Sequence, residues 1–101
     1  MTKYIFAYHS GPNPQEPGPE VMEKWTAWFG QMGNAIVDGG APLSVSKTVN
    51  AKGTSDGGGA NPLSGYTLVE ADNIDAACKM AEGCPALETG GSVEVGECIK
   101  M

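Results

Sequence analysis

His9 is the single histidine of the chain, and histidine is the side-chain type suited to moving protons near neutral pH. It ends the run Tyr4-Ile5-Phe6-Ala7-Tyr8-His9. A histidine there can act as a general acid or base where a carboxylate or a substrate lies within hydrogen-bond reach. It can also be a structural histidine bonded to a neighbouring carbonyl. Asp38 stands before Gly39-Gly40. It can orient His9 or act as a base, and it can equally brace the loop through bonds to nearby backbone. His9 and Asp38 are the candidate catalytic pair. Ser10, Trp25, Tyr66 and Glu94 are the candidate ligand-binding residues. A tyrosine such as Tyr66 sits in an apolar wall and still offers a polar tip. Trp25 shares helical spacing with Trp28 and Phe29, which suits core packing as well as a ligand platform. Glu94 lies opposite Val93 and Val95 on a strand, where it lines a cleft or simply meets solvent.

Several chemistries find no support. The cysteines are Cys78, Cys84 and Cys98. An odd count without a tight pair suits reduced, buried thiols better than a disulfide framework. Their spacing is not that of a zinc knuckle, so no metal and no cofactor is expected. Cys84 precedes Pro85 with no cation nearby in sequence to activate it. Gly57-Gly58-Gly59 is followed by Asn61-Pro62-Leu63 and a strand-like run. A phosphate loop needs a helix at that point, so the glycines read as a flexible hairpin or a flap over a cleft.

The bulk properties narrow the classes further. The chain has 101 residues and a formal net charge of −6. It reads as one domain, 1–101. The acidic balance and the lack of a basic stripe argue against nucleic-acid binding. No window is long and apolar enough for a membrane helix. The first residues lack the pattern of a signal peptide, so the cytoplasm is the expected compartment.

The elements that position the candidate residues follow from periodicity. Tyr4 to His9 reads as a strand, with Tyr4, Phe6 and Tyr8 on one face and Ile5, Ala7 and His9 on the other. Both faces are largely apolar, so both need cover. The prolines between Ser10 and Pro19 break regular structure. Pro19 then opens a helix whose Val21, Trp25, Trp28, Phe29, Met32 and Ile36 form one stripe. Asp38-Gly39-Gly40 is expected to stop it. Leu43 to Asn50 reads as the second strand, with Lys47 giving it a wetter face. Ala51 to Asn61 is a turn region. Ser64 to Glu70 is the third strand. Asp72 is expected to cap a helix over 73–82, with Ile74, Ala77, Cys78 and Ala81 inward. Ser92 to Lys100 is the last strand.

That order is β-α-β-β-α-β. It predicts an α+β ferredoxin-like sandwich, a four-stranded antiparallel sheet with two helices on one face. The other sheet face would then stand open. An open apolar sheet face invites a partner, so a homodimer is expected, two sheets packed into a dimeric α+β barrel.

The order of pieces resembles the YCII-related (DGPF-domain) family of small dimeric α+β-barrel proteins. The matching pieces are the aromatic first strand, Asp38-Gly39-Gly40-Ala41-Pro42-Leu43, and Gly65-Tyr66. Ala76-Ala77 through Cys84-Pro85 and Gly90-Gly91-Ser92-Val93-Glu94-Val95 complete them. The family's Asp-Gly-Pro-Phe loop is absent, and Asp56-Gly57-Gly58-Gly59 occupies the comparable loop. Some members pair a first-helix histidine with an acidic residue. Here Lys24 or Trp25 stands at about that position. The resemblance thus implies the fold more than a reaction.

Two functions are compatible with these residues. One is a non-catalytic dimeric module that binds a small molecule. The other is a cofactor-independent isomerase- or lyase-type enzyme, in which His9 with Asp38 shuttles protons on a small apolar or aromatic metabolite.

Overall fold

The computed structural model describes residues 1–10, 19–59 and 61–100. β1 (Thr2–His9) is central in a four-stranded sheet. α1 (Pro19–Met32) and a short 3₁₀ turn (Gly33–Ala35) lead to β2 (Ile36–Pro42). Among the described residues β3 (Lys47–Asn50) and β4 (Gly53–Asp56) pair only with each other. β5 (Leu63–Ala71), α2 (Ile74–Ala81), a second 3₁₀ turn (Pro85–Thr89) and β6 (Ser92–Glu97) complete the order. The main sheet runs β2-β5-β1-β6 with every neighbouring pair antiparallel. An α+β chain with this sheet and two helices is consistent with a ferredoxin-like fold.

Strand alternation decides which face of β1 is buried. Tyr4, Phe6 and Tyr8 point into the core with Val69 and Thr67 of β5, and both helices contribute Trp28, Met32, Ala77 and Ala81 to the same cluster. Opposite-facing Ile5, Ala7 and Leu68 are half-buried. The core is unusually aromatic at the junction of α1 and β1. Phe6 stacks on Trp28 with ring centroids 6.1 Å apart, and Trp25 meets Trp28 edge-on at 5.5 Å. Tyr8 packs edge-on against Trp25 at 5.0 Å. Such pairs add about 0.5–1.5 kcal/mol each beyond simple burial. Trp28 also donates its indole N–H to the Met80 carbonyl at 3.0 Å, which ties α1 to the end of α2.

Several sequence expectations require correction. α1 stops at Met32 rather than near Ile36, because Gly33 takes φ +50° and ends the helical run. Ile36 opens β2 instead, opposite Val69. The second strand of the sheet is therefore Ile36–Pro42, not Leu43–Asn50. The register of β2 shifts between Ile36 and Asp38 and again between Asp38 and Ala41. Those irregularities, one at Val37 and one at Gly39-Gly40, hide the two-residue alternation that marks a strand. The alternation of Leu43, Val45 and Val49 is genuine but faces solvent, with Val45 84% and Val49 75% exposed. The expected turn region contains β4, the second arm of the separate hairpin.

The remaining corrections are local. Asn73, not Asp72, caps α2, its side-chain oxygen accepting from the Ala76 amide at 2.8 Å. Ala77 and Ala81 face inward as expected, whereas Ile74 and Cys78 are exposed. Their place is taken by half-buried Ala76 and Met80, which pack against the core. β6 ends at Glu97, short of Lys100.

Gly40 is the position where backbone conformation and space coincide. Its φ is +70°, and a Cβ there would collide with the Tyr66 carbonyl on the neighbouring strand. Gly39 has open space and no positive φ. Gly40→Ala is therefore expected to lower stability by ~2–4 kcal/mol through left-handed strain and the collision. Gly39→Ala is expected to leave stability nearly unchanged. Urea midpoints of the two variants check the contrast.

Candidate functional site

α1 does not lie evenly on the sheet. Trp28 and Met32 in its C-terminal half are buried. Val21, Met22 and Trp25, nearer its N-terminal end, and Phe29, next to Trp28, instead line a cavity of about 620 Å³. The floor comes from the ends of β1 and β5 (Tyr8, His9, Ser64–Thr67) and from the bulged part of β2 (Gly39–Pro42). Pro85, Ala86, Glu88 and Thr89 of the second 3₁₀ turn close another side. Cavities of this size, apolar with few polar groups, are typical small-molecule sites.

A buried polar chain runs beneath the cavity. The Tyr8 hydroxyl donates to Thr67 Oγ1 at 2.7 Å, and Thr67 donates onward to the Gly39 carbonyl at 3.1 Å. Thr67 is fully buried. Its hydroxyl accepts one proton and gives one, which suits a single O–H with two lone pairs. The chain crosses from β1 through β5 to β2 and serves a carbonyl in the stretch where the β2 ladder is interrupted. Burial pushes the Tyr8 phenol up to about 12, against the opposing effect of its hydrogen bond to Thr67. Burial likewise pushes the Cys84 thiol up to about 11, so Cys84 is an inert core thiol at neutral pH. Cys84 is buried as expected, whereas Cys78 is exposed and Cys98 intermediate.

His9 is 7% exposed and lines the cavity at the point where β1 shifts register. Nδ1 lies 3.0 Å from the Asn61 carbonyl oxygen and 3.3 Å from that of Pro62. Carbonyls only accept, so Nδ1 carries a proton and donates. Nε2 lies 3.2 Å from Glu94 Oε1, a carboxylate whose side chain is 73% exposed. β-sheet register explains the meeting: Ser92 pairs with His9 across β1 and β6, and Glu94 pairs with Ala7.

The other candidate residues separate into two groups. Ser10, Trp25 and Tyr66 line the cavity together with His9. Asp38 and Glu94 are not among its lining residues. Asp38 Oδ1 accepts from the Gly40 amide at 2.8 Å, the local backbone role. The carboxylate that the fold brings to His9 is thus that of Glu94. Lys24 and Glu88 pair at 2.8 Å on the cavity wall, joining α1 to the second 3₁₀ turn. Thr67 and this ion pair escaped the sequence reading. Thr67 had a signal, because it takes an inward position between Gly65 and Val69. The ion pair had none, since its partners lie far apart in the chain.

Among the described residues no cluster of three His, Cys, Asp or Glu side chains is placed to hold a metal ion. No helix among them is long and apolar enough to cross a membrane. A scan against protein-family models finds no match for the chain, and a search of curated proteins finds none.

The Tyr8 shift has a consequence for stability. The native state holds the phenol neutral, so its contribution is complete below the ordinary value of 10.0 and is lost as pH rises towards about 12. Across that window the protein is expected to lose up to ~3 kcal/mol more than the Tyr8→Phe variant loses. Urea denaturation of both proteins between pH 9 and about 12 measures the difference.

Proposed function

We propose that this protein is a small-molecule-binding module whose ligand enters the cavity between α1 and the sheet. The observation that carries the reading is the cavity itself, about 620 Å³ and walled by Trp25, Phe29, Tyr66 and Met22 with few polar groups. α1 leaves that space because its tight packing is confined to Trp28 and Met32. A cytoplasmic, YCII-related homodimer remains part of the proposal. Half-buried Ile5, Ala7 and Leu68 on the sheet face away from the helices support the dimer, since a second copy would remove them from water.

The expected result is saturable binding of the neutral fluorophore N-phenyl-1-naphthylamine, lost in the Ala41→Trp variant, which fills the cavity from exposed β2. Native mass spectrometry of the same sample is expected to show a dimer. Binding that never saturates, or that Ala41→Trp leaves intact, would overturn the cavity reading. A monomer would overturn the dimer.

A cofactor-independent proton-transfer enzyme is the second reading. The contact of His9 Nε2 with Glu94 at 3.2 Å beside the cavity favours it. It differs from the first reading in requiring turnover. His9 with Asp38 was the pair expected for it, and Glu94 is the carboxylate that meets the imidazole.

A further inference from the structure

Among the described residues, the hairpin of β3 and β4 and the open face of the main sheet both lack cover in a single copy. Resting on the homodimer proposed above, we infer that each copy lays its hairpin across the open sheet face of the other.

The hairpin is well formed yet unsupported. Its ladder is regular, from Lys47 opposite Asp56 to Asn50 opposite Gly53. Thr48 Oγ1 donates to the Gly57 carbonyl at 2.8 Å, and the Gly57 amide donates to the Ser46 carbonyl at 2.9 Å. Asn50 Oδ1 accepts from the Lys52 amide at 2.9 Å and braces the turn. Every residue of β4, and all of β3 except Thr48, is nevertheless exposed. Two strands alone are marginally stable in water and need a packed face. The apolar side chains for such a face are present, Val49 in β3 and Val45 two residues before it, and both are exposed. At the root, the Leu43 amide donates to the Ser64 carbonyl at 2.9 Å, so the hairpin leaves the body at a fixed point beside β5. The molecule is spread out accordingly. Its radius of gyration is 14.4 Å, against about 13 Å for a compact chain of this length.

The open sheet face carries the matching chemistry. Register sets Lys3 opposite Glu70, Ile5 opposite Leu68 and Ala7 opposite Glu94. Alternation turns all six away from Tyr4, Phe6 and Tyr8. Half-buried Ile5, Ala7 and Leu68 form an apolar centre with Glu70 and Glu94 at its margins. Charge complements this. Residues 43–59 carry Lys47 and Lys52 against Asp56, a net +1, which leaves −7 on the rest of the chain. Lys47 shares the Val49 face of β3. A second copy therefore offers each surface what it lacks: valines for the apolar centre and lysines for the flanking carboxylates. Two acidic bodies repel, and the cationic hairpin is the segment that can approach an acidic partner. Two-fold symmetry makes the contact reciprocal, so one arrangement covers both hairpins and both faces.

The test compares the full-length protein with its Val45→Thr/Val49→Thr variant by sedimentation velocity over a concentration series. Threonine keeps the branched side chain that strands prefer, so the fold is retained. The dimer dissociation constant is expected to rise by about a hundredfold, because two valines are lost from each of two hairpins. A second measurement needs no variant. In dimers reassembled from ¹³C-labelled and unlabelled copies, isotope-filtered NOEs are expected between the Val49 methyls of one copy and the Ile5 or Leu68 methyls of the other. A dimer whose dissociation constant the variant leaves unchanged, or one without those NOEs, overturns the hairpin contact and leaves the homodimer standing. A wild-type protein that stays monomeric overturns both.

Discussion

The fold depends on the indole of Trp28. It stacks on Phe6 of the central strand, meets Trp25 on its own helix, and gives its N–H to the Met80 carbonyl near the end of α2. One side chain thereby joins β1, α1 and α2. Its burial near 3% exposure removes a large apolar surface from water, and its one polar atom is not left unpaired. A domain of 101 residues has a small core, so a single aromatic joint carries a large share of it.

The cavity is a consequence of the same joint. Trp28 and Met32 hold the C-terminal half of α1 down on the sheet. Trp25 falls one turn before Trp28, where Tyr8 touches it edge-on rather than filling the gap. The sheet beneath is distorted by the bulges of β2 and the register shift at His9. Regular strands would present a continuous apolar floor. Here the floor contains glycine backbone, a buried threonine and a histidine, and the polar chain from Tyr8 through Thr67 to Gly39 keeps that irregular floor satisfied.

Much of the fold was legible because periodicity reports burial. The two-residue repeat of Tyr4, Phe6 and Tyr8 and the stripe through Trp25, Trp28, Phe29 and Met32 both mark faces that turn inward. Periodicity failed where backbone irregularity or solvent intervened. β2 carries two register shifts within seven residues, which destroys its repeat. The Leu43 to Val49 alternation has the repeat of a half-buried strand, yet among the described residues Lys47–Asn50 finds its partner only in Gly53–Asp56. A pattern of side chains shows what can be buried, not whether anything arrives to bury it.

The candidate site was legible in its parts and not in its pairings. The sequence by itself determined the apolar and aromatic inventory, the single histidine and the scarcity of cations, since these are matters of composition. It also determined that Tyr8 and Phe6 share a face, because strand geometry allows no other arrangement. Only the tertiary structure decided that His9 meets Glu94 while Asp38 turns to the Gly40 amide. Likewise it joined Lys24 to Glu88 and spent the protons of Ser64, Thr26 and Thr89 on backbone carbonyls. The physical reason is range. Alternation and helical repeat act over a few residues, whereas a hydrogen bond between residues far apart in the chain is set by strand register, and register is fixed only when the sheet is assembled.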